Sequence, residues 1–233
     1  MNIDILQEII EKKISKKRFA VLTNLMNGKS ELFELGNQLS DDFKVHKKDI
    51  ENYFSHKKNG IISETNIFIQ NYTKPIEVII VGAVHIAQYL IDFSKNLNLM
   101  ITIIDPREYF TKKQKFQNVK IINEWPEKIL KQIQTDNNYA LITLTHDPKI
   151  DDSALQFALK NKFFYIGALG SKNTHDKRCQ RLKDYGYTSE QINSIHGPIG
   201  LKLGGKSAPE IALSIISQLV LEINRLNVYL FLN

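Results

Sequence analysis

VIIVGAVHIA, Val78 to Ala87, is the stretch on which the fold of this chain turns. Val78 to Val81 form an apolar run short enough for a strand buried on both faces. Gly82 punctuates it, and a helical period begins at Ile86. The same unit recurs downstream. Apolar runs return at Ile101–Ile104, Val119–Ile122, Ala140–Leu144 and Phe163–Ile166, and helix-period segments lie between them at Ile86–Asn96, Pro126–Gln134 and Ser153–Asn161. Alternation of this kind predicts an α/β fold, a doubly wound parallel sheet with helices on both faces. Asp151 and Asp152 are expected to cap the helix that follows them. A long closing helix is expected from about Ala208, with Pro209 and Glu210 in its first turn.

Ahead of Tyr72–Pro75 the pattern differs. An opening helix places Ile5, Ile9 and Ile10 on one side, and FAVLTNL (Phe19–Leu25) reads as a buried strand. Asn27-Gly28 then signals a hairpin turn, with Ser30–Leu35 returning. His46–Lys58 reads as helix and Gly60–Ile69 as extended chain. The expected organisation is a small N-terminal α+β domain over residues 1–72 and a larger domain over 73–233.

A length of 233 residues suits one large or two small domains. Lys and Arg number 31 against 25 Asp and Glu, a net charge of +6 scattered in small groups. No nucleic-acid module accompanies it, so nucleic acid is not an expected partner. The single Cys179 excludes an intramolecular disulfide and a multi-thiolate metal site; neighbouring Arg178 and Arg181 could lower its pKa. The N-terminus lacks the pattern of a secretory signal, and no run of ~18 apolar residues offers a membrane span. A cytoplasmic location is expected.

The residues that could carry chemistry cluster at strand ends. Gly82-Ala83-Val84-His85 sits where a dinucleotide fingerprint would lie, and Asp105 ends the next strand, as a ribose-binding acid would. Val84 stands where a glycine should admit the pyrophosphate, so NAD(P) is disfavoured; another ligand over the same crevice, or a purely structural turn, are the alternatives. Arg107 could grip a phosphate bidentately, or pair with Asp105 or Glu108. His146 and Asp147 follow a strand and could handle a proton or orient a ligand, or simply bond the loop. Gly167, Gly170 and Ser171, with Lys172 adjacent, resemble an anion-accepting turn. Gly200, Gly204 and Gly205 suggest a mobile segment before the closing helix. Glu210 could accept hydrogen bonds from a ligand's N–H groups, or be a helix-start carboxylate. His85, His146 and His196 are spaced unlike any compact metal motif. No nucleophile–base pair or P-loop is present, and catalytic machinery is not evident.

Taken in order, IIVGAVHIA, TIIDPR, LTHDPKIDDSAL, YIGALGSKNTHDKRCQRL and HGPIGLKLGGKSAPEIALSI resemble the XdhC/CoxI family, accessory factors of xanthine dehydrogenase and related molybdenum hydroxylases. The matching segments cover roughly Val78 to Leu219. The resemblance implies a Rossmann-like C-terminal domain and a chaperone that holds molybdenum cofactor (molybdopterin), helps its sulfuration and delivers it to the apo-hydroxylase. A cysteine desulfurase is a further implied partner. The chain departs from the family at Val84, in place of a loop glycine, and in a short N-terminal block with only FAVLTNLMNGKSELFELG as a match. That block lacks the family's glycine-rich and cysteine-bearing segments. Rival readings are an NAD(P)-dependent oxidoreductase and a non-catalytic protein–protein adaptor. The closing helix carries Leu213, Ile215, Ile216, Leu219, Val220, Ile223 and Leu226 around much of its circumference, and Val228–Leu232 continue apolar. A homodimer through this tail is expected.

Overall fold

The computed structural model describes residues 3–15, 18–113, 116 and 119–229. Among the described residues, a smaller compact unit takes in the chain up to Pro75 together with Asn227–Tyr229, and a larger one is Ile76–Leu226.

In the smaller unit, α1 (Ile3–Ile14) buries Ile9 against Phe19 and Val21. β1 (Phe19–Asn24) and β2 (Ser30–Phe33) form the hairpin that Asn27-Gly28 predicts, with Gly28 at φ +72° and Thr23 opposite Ser30. After α2 (Asp41–Lys44) and α3 (Lys47–Ser55) come β3 (Gly60–Ile61) and β4 (Ile67–Tyr72). The sheet runs β2-β1-β4-β3, antiparallel throughout. Its core joins Leu22, Phe33 and Ile69 to Phe43 of α2 and Ile50 and Phe54 of α3. The expected extended segment Gly60–Ile69 is broken into two strands by a turn in which Glu64 takes φ +60°.

The larger unit is the doubly wound α/β domain that the alternation predicts. Its elements are β5 (Ile76–Val81), α4 (His85–Ser94), β6 (Leu99–Ile104), α5 (Glu108–Lys113), β7 (Lys120–Ile122), α6 (Pro126–Leu130), β8 (Tyr139–Thr143), α7 (Pro148–Lys160), β9 (Tyr165–Ala168), α8 (Lys172–Asp184), α9 (Ser189–Asn193), β10 (Ile195–His196) and α10 (Ala208–Tyr229). The sheet order is β10-β9-β8-β5-β6-β7, and all neighbours are parallel. Successive strand residues point to opposite faces, so each run feeds two cores. Val78, Ile80 and Ile142 pack with Leu90 of α4 and with Ala212, Ile215 and Leu219 of α10. Ile79, Val81 and Leu141 pack with Leu130, Ile150, Leu155, Leu182 and Ile192, from α6, α7, α8 and α9.

Two local expectations are corrected. The helix expected at Ser153 starts a turn earlier, because Pro148 occupies its first position and the Asp147 carboxylate accepts a hydrogen bond from Lys149 N at 3.0 Å. Asp151 and Asp152 therefore do not cap it. They lie inside α7 and are buried. The last strand, β10, is only two residues long and carries no pattern of its own. Of the apolar tail, Leu230–Asn233 lie outside the described residues. Among the described residues, no helix is long and apolar enough to cross a membrane.

Candidate functional site

Parallel strands bring all their carboxyl ends to one edge. Gly82, Asp105, Arg107, His146, Asp147, Gly170 and Ser171 therefore share that edge, with Gly167 inside β9 and Gly200 and Glu210 on the segment from β10 into α10. The winding reverses between β5 and β8, where open α/β sheets bind ligands. At that crevice Gly82 takes φ +117°, and a Cβ there would sit 2.8 Å from Thr145 Cγ2 and 3.2 Å from Thr145 N. Only glycine lets the two loops meet so closely.

On the β6 side of the crevice the polar groups answer one another. Asp105 is fully buried. Its Oδ2 accepts from Ala83 N and Arg107 Nη2, both at 2.8 Å, and its Oδ1 accepts from Arg107 N and Nε, both at 2.9 Å. Of the alternatives for Arg107, the ion pair with Asp105 is the one formed, and Asp105 before all else holds the guanidinium pKa up. With four donors on it, this carboxylate has no oxygen turned toward a ribose. The Arg107 guanidinium lies over the Phe110 ring, 4.4 Å from its centroid. Val84 precedes α4 without a side-chain cap, and His85, exposed, meets Tyr89 edge-on at 5.1 Å.

The β8 side is built differently. Thr145 Oγ1 donates to Asp151 Oδ1 at 2.7 Å, and Thr145 N to the same oxygen at 3.3 Å. Asp151 is 2% exposed. Burial pushes its carboxyl up to about 6, against the pull of the Thr145 hydrogen bonds and of Arg178. His146 sits at φ +61°, its pKa lowered by partial burial and by Arg178. Asp147 is occupied as the cap of α7.

Arg178 is the centre of this half, and it too is 2% exposed. Helical side chains lean toward the helix start. Here the guanidinium folds back under the first turn of α8, where Nη2 donates to Leu169 O at 2.8 Å. Its Nε is buried with no hydrogen-bond partner. Beside it opens a cleft of about 180 Å³, bordered by His146, Asp151, Asn173, Lys177 and Arg181 as well as Arg178. Arg181 is paired with the buried Asp152 through Nε at 2.6 Å and Nη2 at 2.9 Å. Arg178, Thr145 and Asp151 are the groups that the motif reading passes over. The usable signal is that Asp151 and Arg178 each lie in the helix that follows one of two adjacent strands.

Gly167 and Gly170 serve packing, whereas a Cβ on Gly204 would meet nothing within 4 Å. A Cβ on Gly167 would lie 2.3 Å from Ile199 Cδ1, and Gly170, at φ +146°, would bring one within 2.9 Å of Thr174 Cγ2. Ser171 caps α8 by accepting from Thr174 N at 3.1 Å. Gly200 N donates to Gln218 Oε1 at 2.8 Å; Tyr165, stacked on His196 with centroids 4.8 Å apart, donates its hydroxyl to the same oxygen at 2.7 Å. Glu210 Oε2 accepts from Ser207 N at 2.9 Å and Lys206 N at 3.2 Å, so it is engaged as a helix-start carboxylate. Cys179 rests 3.4 Å from His175 Nε2; burial first, then Asp176, raises its thiol pKa, opposite to what its cationic neighbours suggest. Among the described residues, no three His, Cys, Asp or Glu side chains gather as metal ligands.

Residues 78–219 match the family model described as the XdhC Rossmann domain. The chain is 37% identical over 98 residues to an Escherichia coli (strain K12) protein, "Molybdenum cofactor insertion chaperone PaoD", across 42% of this chain and 30% of that one. It is 27% identical over 157 residues to a probable xanthine dehydrogenase component of Bacillus subtilis (strain 168), across 67% of this chain and 46% of that one. It thus spans less than half the length of either relative. A crystal structure of a xanthine dehydrogenase from Bacillus halodurans has the same fold, with a TM-score of 0.70 at 21% identity over 95% of this chain and 64% of that one.

Proposed function

The chain belongs to the XdhC Rossmann-domain family, and from that premise we propose that it is a molybdenum-cofactor chaperone serving a xanthine-dehydrogenase-type hydroxylase. The observation that carries the reading is the carboxyl edge of the parallel sheet. There a cleft bordered by Arg178, Lys177 and Arg181 opens beside the point where the winding reverses. The chaperone and dehydrogenase names of the relatives supply the cofactor class.

The residues present fit such a group. A molybdopterin is a flat, polar heterocycle with a phosphate-bearing arm. The cleft is bordered by the buried Arg178 guanidinium, by Lys177 and Arg181, by the Asp151 and Asp152 carboxyl groups and by the His146 imidazole. At about 180 Å³ it is smaller than the ~300–1,000 Å³ usual for whole small-molecule sites. It would therefore take one end of the cofactor, with the rest lying across the strand ends near Gly82 and His85. When bound, the cofactor supplies the molybdenum–dithiolene centre that the hydroxylase uses. The chain's own side chains hold and orient it, and no bond-making step is assigned to them. Asp105 and Arg107 act here as a brace beneath the Gly82 loop.

The role calls for an apo-hydroxylase to receive the cofactor and a cysteine desulfurase to provide sulfur. It also accommodates a homodimer through Val228–Asn233. Sedimentation should then give a mass near twice 26.9 kDa, falling when that tail is removed. The central test is to purify the chain from a host replete in molybdenum cofactor and oxidise any bound pterin to its fluorescent form. Pterin retained through gel filtration, and released to an apo-hydroxylase that gains activity, is the expected result. A preparation without pterin that also fails to activate the apo-hydroxylase overturns the proposal.

A further inference from the structure

Arg178 poses a problem that the fold does not resolve. A guanidinium carries five donors. This one is 2% exposed, and its Nε points at no acceptor, although an unmet buried donor costs about 1–3 kcal/mol. Burial lowers its pKa, so the site holds its charge at some expense. Three features share that space. The first is the start of α8, a 13-residue helix whose opening N–H groups have no intrahelical acceptors and carry the positive end of its dipole. Ser171 satisfies one of them, through Thr174 N. The second is Lys177, exposed and one turn beyond Asn173 on the same rim. The third is the cleft that all of these border.

The two carboxyl groups bordering the cleft, Asp151 and Asp152, offset only part of the charge of Arg178, Lys177 and Arg181. Asp152 is held bidentately by Arg181. Asp147 caps α7. Asp151 is buried, and its ionised form is already disfavoured. An anion arriving beside it would disfavour that form further, leaving a carboxylic acid able to donate a hydrogen bond. Of the other charged groups near Asp151, Arg107 is engaged by Asp105, and His146 has its pKa lowered.

We propose that this cleft is an oxyanion subsite for a phosphate monoester, gripped by Arg178 from beneath, by the Asn173 N–H group at the start of α8, and by Lys177 at the mouth. It rests on the chaperone reading only for the identity of the whole ligand, since a terminal phosphate is the part of a molybdopterin that such a pocket would take. Its own chemistry is independent of that reading. A helix start, a buried guanidinium and an exposed lysine converging on one small cleft make a tetrahedral-anion site by elementary electrostatics.

The test titrates the full chain with inorganic phosphate and, separately, with sulfate, following backbone amide resonances. Saturable shifts at Lys172, Asn173 and Thr174 are expected with either ion. Lys177→Glu changes only an exposed position and should weaken binding about tenfold or more, the size of one lost charge-assisted hydrogen bond. Arg178→Lys keeps the charge but loses the fork, and should weaken binding about as much. Its thermal unfolding would confirm that it still folds. Failure of both ions to saturate at about 0.15 M, physiological ionic strength, overturns the proposal, as does Lys177→Glu binding within twofold of wild type. If pterin co-purifies undiminished with both variants, the subsite is wrong and the chaperone reading stands. If sulfate saturates but no pterin is ever retained, the subsite stands and the chaperone reading fails.

Discussion

The loop after β6 and the helices after β8 and β9 start from the same edge of the same sheet, and each half of that edge holds a carboxylate and an arginine. After β6 the pair closes on itself. Asp105 takes four hydrogen bonds, three of them from Arg107, and nothing polar is left over. After β8 and β9 the charges are held apart. Asp151 bonds Thr145, Arg178 bonds the Leu169 carbonyl, and both border the same cleft. The difference teaches that a strand-end acid and base mark function only when their bonding capacity is unfilled. The half of the edge that carries the dinucleotide-like motif is closed on itself, and the other half is the one we propose for a ligand.

The sharpest way to break this comparison is Arg107→Ala. If Asp105 and Arg107 form a brace, the change leaves a fully buried carboxylate with only its backbone donors. Removing one partner of a buried pair costs about 3–5 kcal/mol. Because the Arg107 side chain is 30% exposed, the lower end of that range is expected. Urea unfolding would measure it. A loss below about 1 kcal/mol, within the range of surface ion pairs, would mean that Arg107 is free to serve a ligand.

Asp151→Asn tests the other half and should act in the opposite direction. The folded-state pKa is raised from 3.8 to about 6. Between those values the native state binds more protons than the unfolded chain, so this group's contribution to stability falls as pH rises. The stabilisation is fully present below about 4 and lost above about 6. Asparagine keeps an oxygen for Thr145 and cannot ionise. The variant should therefore exceed wild type by about 2–3 kcal/mol at pH 8, with the gap closing toward pH 4. A gap of the same size at both pH values would show that Asp151 does not titrate as its burial implies.

Gly82→Ala probes the seam between the halves. The new methyl would need φ near +117° and would press on Thr145 Cγ2 at 2.8 Å and the Thr145 backbone at 3.2 Å. A loss of about 2 kcal/mol is expected. At Gly28, where φ is +72° and a Cβ meets nothing within 4 Å, the same change should cost about 1 kcal/mol. Thermal melts of the two variants, compared directly, would expose the contact between loops. Equal losses would deny it.

How far the sequence could be read follows from the same physics. The buried strands were legible because parallel strands between two helix layers must be apolar on both faces, as Val78–Val81 and Ala140–Leu144 are. The glycine turns were legible because a strand end meeting a helix start often needs a positive φ. The choice between ligand and brace for Asp105 and Arg107 was not, since residues two apart offer the same side chains to either and only distance and burial decide. Asp147 and Pro148 could have been read as a helix start. Treating Asp147 as a partner for His146 instead left the capping to Asp151 and Asp152. Arg178 was hidden for a simpler reason. It sits among polar neighbours on a strongly polar helix, where an arginine is ordinarily exposed, and nothing local says that it turns inward.

The smallest expected effect is a null one, and it tests whether the β6 half is closed. A dinucleotide needs backbone access at the third position of the first loop and a free carboxylate for the ribose. Val84 removes the first, and the four hydrogen bonds on Asp105 remove the second. NAD(H) and NADP(H) should therefore bind with Kd weaker than ~0.1 mM, or less than about 5.5 kcal/mol of binding free energy. Val84→Gly opens the loop but leaves Asp105 engaged, so its affinity should rise little. Calorimetric titration of both proteins separates the two obstacles. Low-micromolar binding by wild type would revive the oxidoreductase reading. Low-micromolar binding by the Val84→Gly variant alone would show that Asp105 releases Arg107 when a ribose competes for it, and the brace would then be a latch.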